Sequence, residues 1–311
     1  MKLIVHQLQR HGADVLEIRL RHPQGQVLTP WSAGAHLRLQ LPVSDGQWLE
    51  RHYSLIGTDG AAEEYRIAVL LDPASRGGSR WIHEQLAAGE TLDVAGPFDS
   101  FPLQAEQGRT VLVAGGIGIT PMHAMAHALN AAGQPFELHY LARSEDRLVL
   151  LDELRTLPHA QLHLHIGANP PALEALLGTF SAGASLHACG PVPLLNALRE
   201  RAAELGWPGT ALHFESFGAR SQPGDRPIRV HLAQSGIAVD VQPGTSILDA
   251  LIAADAFVAY DCKRGECGQC HSRVLEGSPL HRDVCLSPAQ RAEGLCTCVG
   301  WARSESLTLD L

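Results

Sequence analysis

The chain has 311 residues, of which 45% are hydrophobic and 18% are charged, which allows two or three domains with buried cores and excludes a disordered protein. Lysine and arginine total 24 against 33 acidic residues, a formal net charge of -9. Without a basic block, this balance excludes nucleic acid as the main partner. The apolar runs are too short to cross a membrane and the N-terminus turns polar early, so we expect a soluble cytoplasmic protein with no membrane partner.

Short segments in the first hundred residues alternate apolar and polar side chains, with glycine and proline between them. These segments are Asp14–Leu20, His36–Leu41, Glu64–Leu70 and Thr91–Ala95. Such alternation is typical of antiparallel strands in a barrel or sandwich. We therefore predict an antiparallel β-barrel domain over residues 1–103.

The pattern changes in the next segment, residues 104–218, where predicted strands alternate with predicted helices. Arg109–Ala114 is predicted to be a buried strand, and Pro121–Ala132 and Val192–Leu205 are predicted to be helices. Further strands are predicted at Phe136–Leu141, Gln161–Ile166, Ser185–Ala188 and Ala211–Ser216. This alternation predicts an α/β domain with a parallel sheet.

Three segments rich in small residues lie where helices are predicted to begin. Gly115-Gly-Ile-Gly-Ile-Thr-Pro121 and His187-Ala-Cys-Gly-Pro191 each follow a strand, and Gly77-Gly-Ser79 follows Arg76 in the barrel domain. Glycine lets the backbone approach a phosphate, whose charge the free N–H groups of a helix start stabilise. The alternative is ordinary strand–helix turn chemistry, with Ser79 as a simple helix cap.

The polar segment 219–227 contains glycine and proline and is predicted to be a linker. Beyond it, Ile228–Leu232 and Ile237–Val241 are predicted to form a hairpin, followed by a short helix at Ser246–Ala254. Ser306–Leu311 is a candidate final strand. These elements define a third domain, residues 228–311.

Six of the seven cysteines lie in the last fifty residues, namely Cys262, Cys267, Cys270, Cys285, Cys296 and Cys298. The first three have the spacing C-x4-C-x2-C, which together with a distant fourth cysteine is the plant-type 2Fe–2S pattern. Gly265 and Gly268 permit the tight loop that such ligands need. A zinc site is disfavoured, because zinc pairs two short C-x2–4-C elements and the distal element here is C-x-C.

Spacing leaves two candidates for the fourth cluster ligand, Cys296 and Cys298. Cys285 and Cys189 are expected to be small buried side chains instead of ligands.

The cysteine segment Asp261–Cys270, followed by Arg273–Gly277 and His281–Asp283, resembles the C-terminal ferredoxin domain of the phthalate dioxygenase reductase and vanillate O-demethylase reductase family. The resemblance implies a plant-type β-grasp ferredoxin fold. In that family the fourth ligand lies in a segment similar to Thr297–Ala302, which selects Cys298 and gives the ligand set Cys262, Cys267, Cys270 and Cys298. The chain departs from the family at Gly300-Trp301, where Ser-Arg is usual.

The resemblance also assigns a flavin site to the barrel domain. Arg51-His-Tyr-Ser54 matches the R-x-Y-S flavin motif of this superfamily, and Arg76-Gly-Gly-Ser79 matches the family's phosphate-binding segment. The resemblance implies FMN instead of FAD. The implied FMN-binding residues are Arg51, Tyr53, Ser54, Gly77, Gly78 and Ser79.

The glycine-rich segments of the α/β domain match the family's G-G-x-G-x-T-P and C-G-P motifs, which implies a nicotinamide site. The implied residues are Gly115, Gly116, Gly118, Thr120, Pro121, Arg143, Cys189, Gly190 and Pro191. Glu145 and Asp146 lie beside Arg143, and carboxylates favour a free ribose hydroxyl over a 2′-phosphate. Together with the family habit, they predict NADH. Phe214–Phe217 resembles a further family segment, F-E-x-F, that approaches the flavin.

The resemblance covers the whole chain and implies transfer of a hydride from NADH to FMN. Single electrons then pass through the 2Fe–2S cluster to a Rieske non-haem iron oxygenase of aromatic catabolism. No catalytic residue beyond the cofactors is required. Two alternatives are a stand-alone NADH reductase of a quinone or ferric chelate and a non-catalytic iron–sulfur redox sensor. We further predict that Lys263, Arg264, Arg273 and Arg282 form a basic rim around the cluster, which an acidic patch on the oxygenase contacts.

Overall fold

A computed structural model describes residues 1–42, 48–73, 77–104, 108–167, 171–217, 222 and 224–311. The described residues do not include Arg76, Gly218 at the end of the predicted α/β domain, or residues 219–221 and 223 of the predicted linker. The chain divides into two compact units, Met1–Gly190 with Ala197–His213 and Pro191–Asn196 with Phe214–Leu311. Within the described ranges, no helix is long and apolar enough to cross a membrane.

The N-terminal part of the first unit is an antiparallel sheet of six strands in the order β5-β4-β8-β1-β2-β7. A bridge between Leu55 and Ile67 closes the sheet into a barrel. The elements are β1 (Lys2–His11), β2 (Val15–Arg21), β3 (Leu28–Trp31), β4 (Ala35–Pro42), β5 (Trp48–Ser54), β6 (Gly60–Ala62), β7 (Glu64–Leu70), α1 (Gly78–Glu84) and β8 (Thr91–Asp99). The four predicted strands correspond to β2, β4, β7 and β8.

Alternate residues of these strands fill the barrel. Leu37, Leu39 and Leu41 on β4 are completely buried, as are Ile18 and Leu20 on β2. Each such side chain contributes roughly 1.5–3 kcal/mol by leaving water. The period of two therefore determines which face of each strand points inward.

One buried carboxylate on the barrel, that of Glu17, is held by cations. Its side chain is 1% exposed and accepts hydrogen bonds from His11 and Arg66. Burial alone would raise the pKa of Glu17, but these hydrogen bonds and the charge of Arg66 outweigh burial and lower it to about 2. Arg66 also forms a two-pronged ion pair with Glu153, at 2.7 and 3.0 Å. The barrel is thereby joined to the next part of the same unit.

That next part is a five-stranded sheet in the order β11-β10-β9-β12-β13, with parallel pairing from β11 to β12. This confirms the predicted α/β domain. Its elements are β9 (Thr110–Gly115), α2 (Ile119–Ala131), β10 (Phe136–Ala142), α3 (Leu151–Arg155), β11 (Ala160–Ile166), α4 (Leu173–Leu177), β12 (Ser185–Cys189), α5 (Val192–Glu204) and β13 (Leu212–Glu215). All of β9 is buried, as expected of a central parallel strand.

The C-terminal region has a mixed sheet in the order β15-β14-β20-β16-β18, in which β14 and β20 are parallel. Its elements are β14 (Ile228–Leu232), β15 (Ala238–Val241), α6 (Ile247–Ala253), β16 (His271–Glu276), β17 (Pro279–Leu280), α7 (Pro288–Glu293), β18 (Gly294–Cys296), β19 (Trp301–Ala302) and β20 (Ser306–Leu309). The predicted hairpin, helix and final strand are present. Helix α6 begins at a Ser246 cap, whose hydroxyl accepts a hydrogen bond from the Asp249 amide at 2.9 Å.

Candidate functional site

The predicted cluster ligands lie on the irregular loop before β16 and on the turn after β18. Cys262, Cys270 and Cys298 are buried, whereas Cys267 is exposed. Cys298 forms a hydrogen bond with Cys270 and interacts electrostatically with Cys262, and Cys262 in turn forms a hydrogen bond with Cys267. The structure therefore brings all four predicted thiols together.

The two candidates for the fourth ligand face different neighbours. Cys296 lies on β18, and its Sγ atom is 3.9 Å from that of the half-buried Cys285. Cys298 lies beyond the strand and also accepts a hydrogen bond from the Gly265 amide in the cysteine loop. Both contact Cys270. The hydrogen bond from the Gly265 amide and the electrostatic interaction with Cys262 favour Cys298 over Cys296 as the fourth ligand.

The backbone of the cysteine loop donates hydrogen bonds to sulfur. The Arg264 amide lies 3.3 Å from Cys262 Sγ. Gly265 has φ +75°, and a Cβ at this position would lie 2.6 Å from Val299 Cγ2 and 3.1 Å from Asp283 Cα. The loop is thus wrapped too closely for a side chain here. Four converging thiols with amide donors fit a 2Fe–2S cluster, whose sulfur atoms carry negative charge.

The predicted basic rim around this loop is wrong. The side chain of Arg264 is only 12% exposed and that of Arg282 only 4%. Ion pairs join Arg264 to Glu215 and Glu266, Lys263 to Asp249, and Arg282 to Asp225. Arg273 alone of the four is mostly exposed, at 67%. The cations neutralise neighbouring carboxylates of the same unit, which leaves little positive charge at the surface.

Glu215, the glutamate of the Phe214–Phe217 segment, is completely buried. Burial and the charge of Glu266 raise its pKa to about 8, against the opposing charge of Arg264. Glu266 accepts a hydrogen bond from the Ser216 amide at 2.9 Å. Sequence reasoning missed this buried Glu215–Arg264–Glu266 triad, because Glu215 lies 49 residues before Arg264 along the chain.

The predicted flavin residues lie on β5 and at the start of α1. A Cβ on Gly78 would lie 2.8 Å from Arg51 Nε, so the Arg51 side chain runs directly along the small-residue segment. A guanidinium beside an open backbone suits a phosphate. Ser79 Oγ accepts a hydrogen bond from the Asp72 amide at 3.2 Å, which leaves its hydroxyl proton available to a ligand.

The rest of β5 offers an aromatic ring and an unsatisfied hydroxyl. Tyr53 is partly exposed and packs against the hydrophobic core, and burial raises its pKa. Ser54 is 4% exposed, and within the described ranges its buried hydroxyl has no hydrogen-bond partner. A buried hydroxyl without a partner is costly, and a polar edge of an isoalloxazine would satisfy it. Cation, ring and hydroxyl together fit FMN.

The two predicted nicotinamide segments contact each other. Strand β9 ends at Gly115, a single 3-10 turn covers Gly116–Gly118, and α2 follows with Thr120 and Pro121 in its first turn. A Cβ on Gly118 would lie 2.1 Å from the carbonyl oxygen of Cys189 and 3.0 Å from the Gly190 amide nitrogen. Glycine at 118 is therefore required for this approach. With glycine at this position, the backbone of both segments is open at the same edge of the sheet, which is suited to binding a dinucleotide.

The other residues that are predicted to bind the nicotinamide cofactor differ in their exposure. Cys189 is completely buried, and Thr120 Oγ1 donates a hydrogen bond to the Ile117 carbonyl at 3.1 Å. Arg143, Glu145 and Asp146 are exposed just after β10. Both signs of charge are thus available at the position predicted for the adenosine ribose.

No role was predicted for a buried histidine that lies near the flavin motif. His123 on α2 is completely buried. Its Nδ1 accepts a hydrogen bond from the Gly57 amide at 3.1 Å, and its Nε2 lies 3.5 Å from Glu153. Gly57 follows the flavin motif by three residues, so this hydrogen bond joins the segment after the motif to helix α2. Its sequence context, an apolar helix, carries no signal of this contact.

Known proteins match this chain over its whole length. Residues 230–301 match the family described as the 2Fe-2S iron-sulfur cluster binding domain. The chain is 39% identical to phenoxybenzoate dioxygenase subunit beta of Ectopseudomonas oleovorans, over 100% of this chain and 97% of the relative. It is 36% identical to vanillate O-demethylase oxidoreductase of a Pseudomonas species, over 100% of both. Among solved structures, phthalate dioxygenase reductase matches with a TM-score of 0.76 and 32% identity, over 100% of this chain and 98% of the other.

Proposed function

Because the chain belongs to the phthalate dioxygenase reductase and vanillate O-demethylase reductase family, we propose that it is the NADH-dependent reductase of a Rieske non-haem iron oxygenase. It is an oxidoreductase that carries electrons from pyridine nucleotide through FMN and a 2Fe–2S cluster to an oxygenase component. The Rieske class of the acceptor is the proposal. It is supported by relatives that are named phenoxybenzoate dioxygenase subunit beta and vanillate O-demethylase oxidoreductase.

We propose the domain limits 1–103 for the FMN barrel, 104–218 for the NAD domain and 228–311 for the ferredoxin domain, with 219–227 as linker. The match to the iron–sulfur family at 230–301 lies within the third of these ranges. We also propose a cytoplasmic location, which suits an NADH-dependent protein with seven cysteines that form no disulfide.

When bound, FMN takes two electrons from NADH as a hydride and the 2Fe–2S cluster takes one electron at a time. The residues of this chain supply position and charge. We propose that Arg51 and the Gly77–Ser79 segment hold the flavin phosphate, while Tyr53 and Ser54 contact the ring. Gly115–Pro121 and Cys189–Pro191 give a dinucleotide close access to the backbone, with Arg143 near the adenosine end. No side-chain acid or base is needed.

The observation that supports the cluster assignment is the position of Cys298, which forms a hydrogen bond with Cys270 and interacts electrostatically with Cys262. Amides of the cysteine loop stabilise negative charge on the sulfur atoms, as the Arg264 amide does at Cys262. Because Cys267 is exposed, a cluster bound by this thiol would have one ligand at the surface, and such an edge is where an electron can leave to a protein partner.

A matched pair of variants tests this ligand set. Cys298→Ser should lose the cluster's visible absorbance while keeping FMN and NADH-dependent ferricyanide reduction, because the flavin site is independent of this thiol. Cys296→Ser should keep two irons and one FMN per chain. Loss of the cluster in Cys296→Ser with retention in Cys298→Ser would show that the fourth ligand is Cys296.

Reconstitution tests the partner. The reduced protein should pass electrons to a Rieske oxygenase encoded beside its gene, with product formed at the expense of NADH. Activity with only a haem oxygenase would refute the Rieske proposal. Rapid NADH-dependent quinone reduction without any protein acceptor would favour the stand-alone reductase, and absence of NADH oxidation would favour the redox sensor.

A further inference from the structure

A group of imidazoles and a carboxylate lies on two neighbouring strands of the α/β sheet, outside every predicted cofactor motif. β10 and β11 are parallel, with His139 directly opposite His163. Because alternate residues of a strand share a face, Glu137 and His139 of β10 lie on the same face as His163 and His165 of β11. The rings stack, with centroids 4.5 Å apart for His139–His163 and 5.3 Å apart for His139–His165.

Two ring nitrogens in this group lack hydrogen bonds. His139 is 5% exposed, and its Nδ1 lies 3.0 Å from Nε2 of His165. The Nε2 atoms of His139 and His163 are buried and have no hydrogen-bond partner within 3.5 Å in the part of the chain that the structure describes. Nε2 of His139 faces Oε2 of Glu137 at 3.7 Å. Most metal-bound histidines donate a hydrogen bond from their second ring nitrogen to a neighbouring group. When Nδ1 of His139 donates to His165 in this way, Nε2 of His139 keeps its lone pair for a metal.

The carboxylate completes a set of three donors. The ligand atoms of Glu137, His139 and His163 lie within 4.8 Å of one another. Metal–nitrogen and metal–oxygen bonds of about 2.0–2.2 Å require the side chains to close in slightly around an ion. Arg109 already holds both oxygens of Glu137, at 2.6 and 2.7 Å. Since that guanidinium offsets the carboxylate charge, the imidazoles must supply most of the affinity, which favours Zn²⁺ over Mg²⁺ or Ca²⁺.

A second group of similar composition is not suited to binding a metal. His123, His127 and Glu153 also lie within 4.8 Å. Nδ1 of His123 accepts the Gly57 amide proton, so the neutral ring must carry its own proton on Nε2. That nitrogen has no lone pair for a metal.

We propose that Glu137, His139 and His163 form a Zn²⁺ site that joins the edge strand β11 to β10. His165 is a positioning residue that orients His139 through its Nδ1. The site is independent of electron transfer, since none of its members belongs to the flavin, nicotinamide or cysteine segments.

Zinc titration of the oxidised holoprotein by calorimetry tests the proposal, with cluster absorbance recorded throughout. One Zn²⁺ should bind per chain and raise the unfolding temperature of the protein. His163→Gln should weaken binding by at least about tenfold, whereas the matched control His159→Gln, an exposed histidine before β11, should not. NADH reduction of the flavin by His163→Gln confirms that this variant is folded, and His163→Asn serves as the second variant if it is not.

Copper provides an independent readout of the ligands. An oxidised 2Fe–2S cluster gives no paramagnetic resonance signal, so the spectrum of added Cu²⁺ is observed without interference. Coupling to two imidazole nitrogens is expected in the native protein, and to one in His163→Gln. The proposal is overturned if Zn²⁺ does not bind, if His163→Gln binds it as tightly as the native protein, or if uptake occurs only with loss of cluster absorbance.

Discussion

Replacing Gly118 with alanine should separate the two segments that we assign to NADH. The new Cβ would lie 2.1 Å from the Cys189 carbonyl oxygen and 3.0 Å from the Gly190 nitrogen. Both are backbone atoms, which have no rotamer to move into. Non-bonded heavy atoms are stable at separations near 3.5 Å, so the two segments must move apart by roughly 1 Å.

The magnitude follows from this displacement. A misplacement of about 1 Å at a site that positions reactants costs roughly 100-fold in rate, or about 2.7 kcal/mol. We expect kcat/KM for NADH to fall by about that factor in Gly118→Ala. FMN and iron content should be unchanged, because the affected contact involves neither cofactor segment.

The assay is stopped-flow reduction of the flavin by NADH at several concentrations. Gly133→Ala is the matched control, since Gly133 follows α2 with φ +67° and its Cβ would meet nothing within 4 Å. It carries backbone strain of about 1 kcal/mol without any clash at the site. Native flavin reduction in Gly118→Ala, or an equal loss in Gly133→Ala, would refute the steric reasoning.

Three further outcomes are expected. Gly265→Ala should lower the ratio of iron to FMN in the purified protein, because its Cβ would lie 2.6 Å from Val299; an unchanged ratio would contradict this. Since the pKa of Glu17 is about 2 against an unperturbed 4.5, its contribution of up to about 3 kcal/mol is complete above pH 4.5 and lost as the pH falls toward 2. Glu17→Gln should flatten that pH dependence of barrel unfolding, measured by flavin release. Replacing Glu145 and Asp146 with alanine should increase use of NADPH severalfold with little change for NADH, measured by steady-state kinetics.

Strands whose side chains alternate regularly could be predicted from the sequence, and those with irregular pairing could not. β2 and β7 alternate throughout, so their positions were predicted. β1 was missed because its register with β2 shifts between Val5 and Gln7, which breaks the period of two on which the prediction depends. Its second half is also mostly exposed, so no buried face marks it.

The cofactor motifs could be predicted because each is short and contiguous, whereas charge pairing could not. Arg264 meets Glu215 across 49 residues and Arg282 meets Asp225 across 57. Charges so far apart in sequence carry no local sign of their pairing, and isolated cations are reasonably expected at the surface. The error in the basic rim follows from this, since burial of an arginine depends on a partner that only the folded chain supplies.

The position of Cys298 relative to the other proposed ligands has a mechanical consequence for the C-terminal domain. Three of the proposed ligands lie within nine residues of each other, but Cys298 comes 28 residues after Cys270, beyond α7 and β18. A cluster held by these thiols would act as a covalent cross-link around that segment, much as a disulfide does, and closing a loop of this length is worth about 3–4 kcal/mol. Iron loss would therefore make local opening of this segment more frequent, because only the pairing of β18 with β16 and the buried core would then hold it. An intact cofactor thus protects the domain against proteases as well as supplying its redox chemistry.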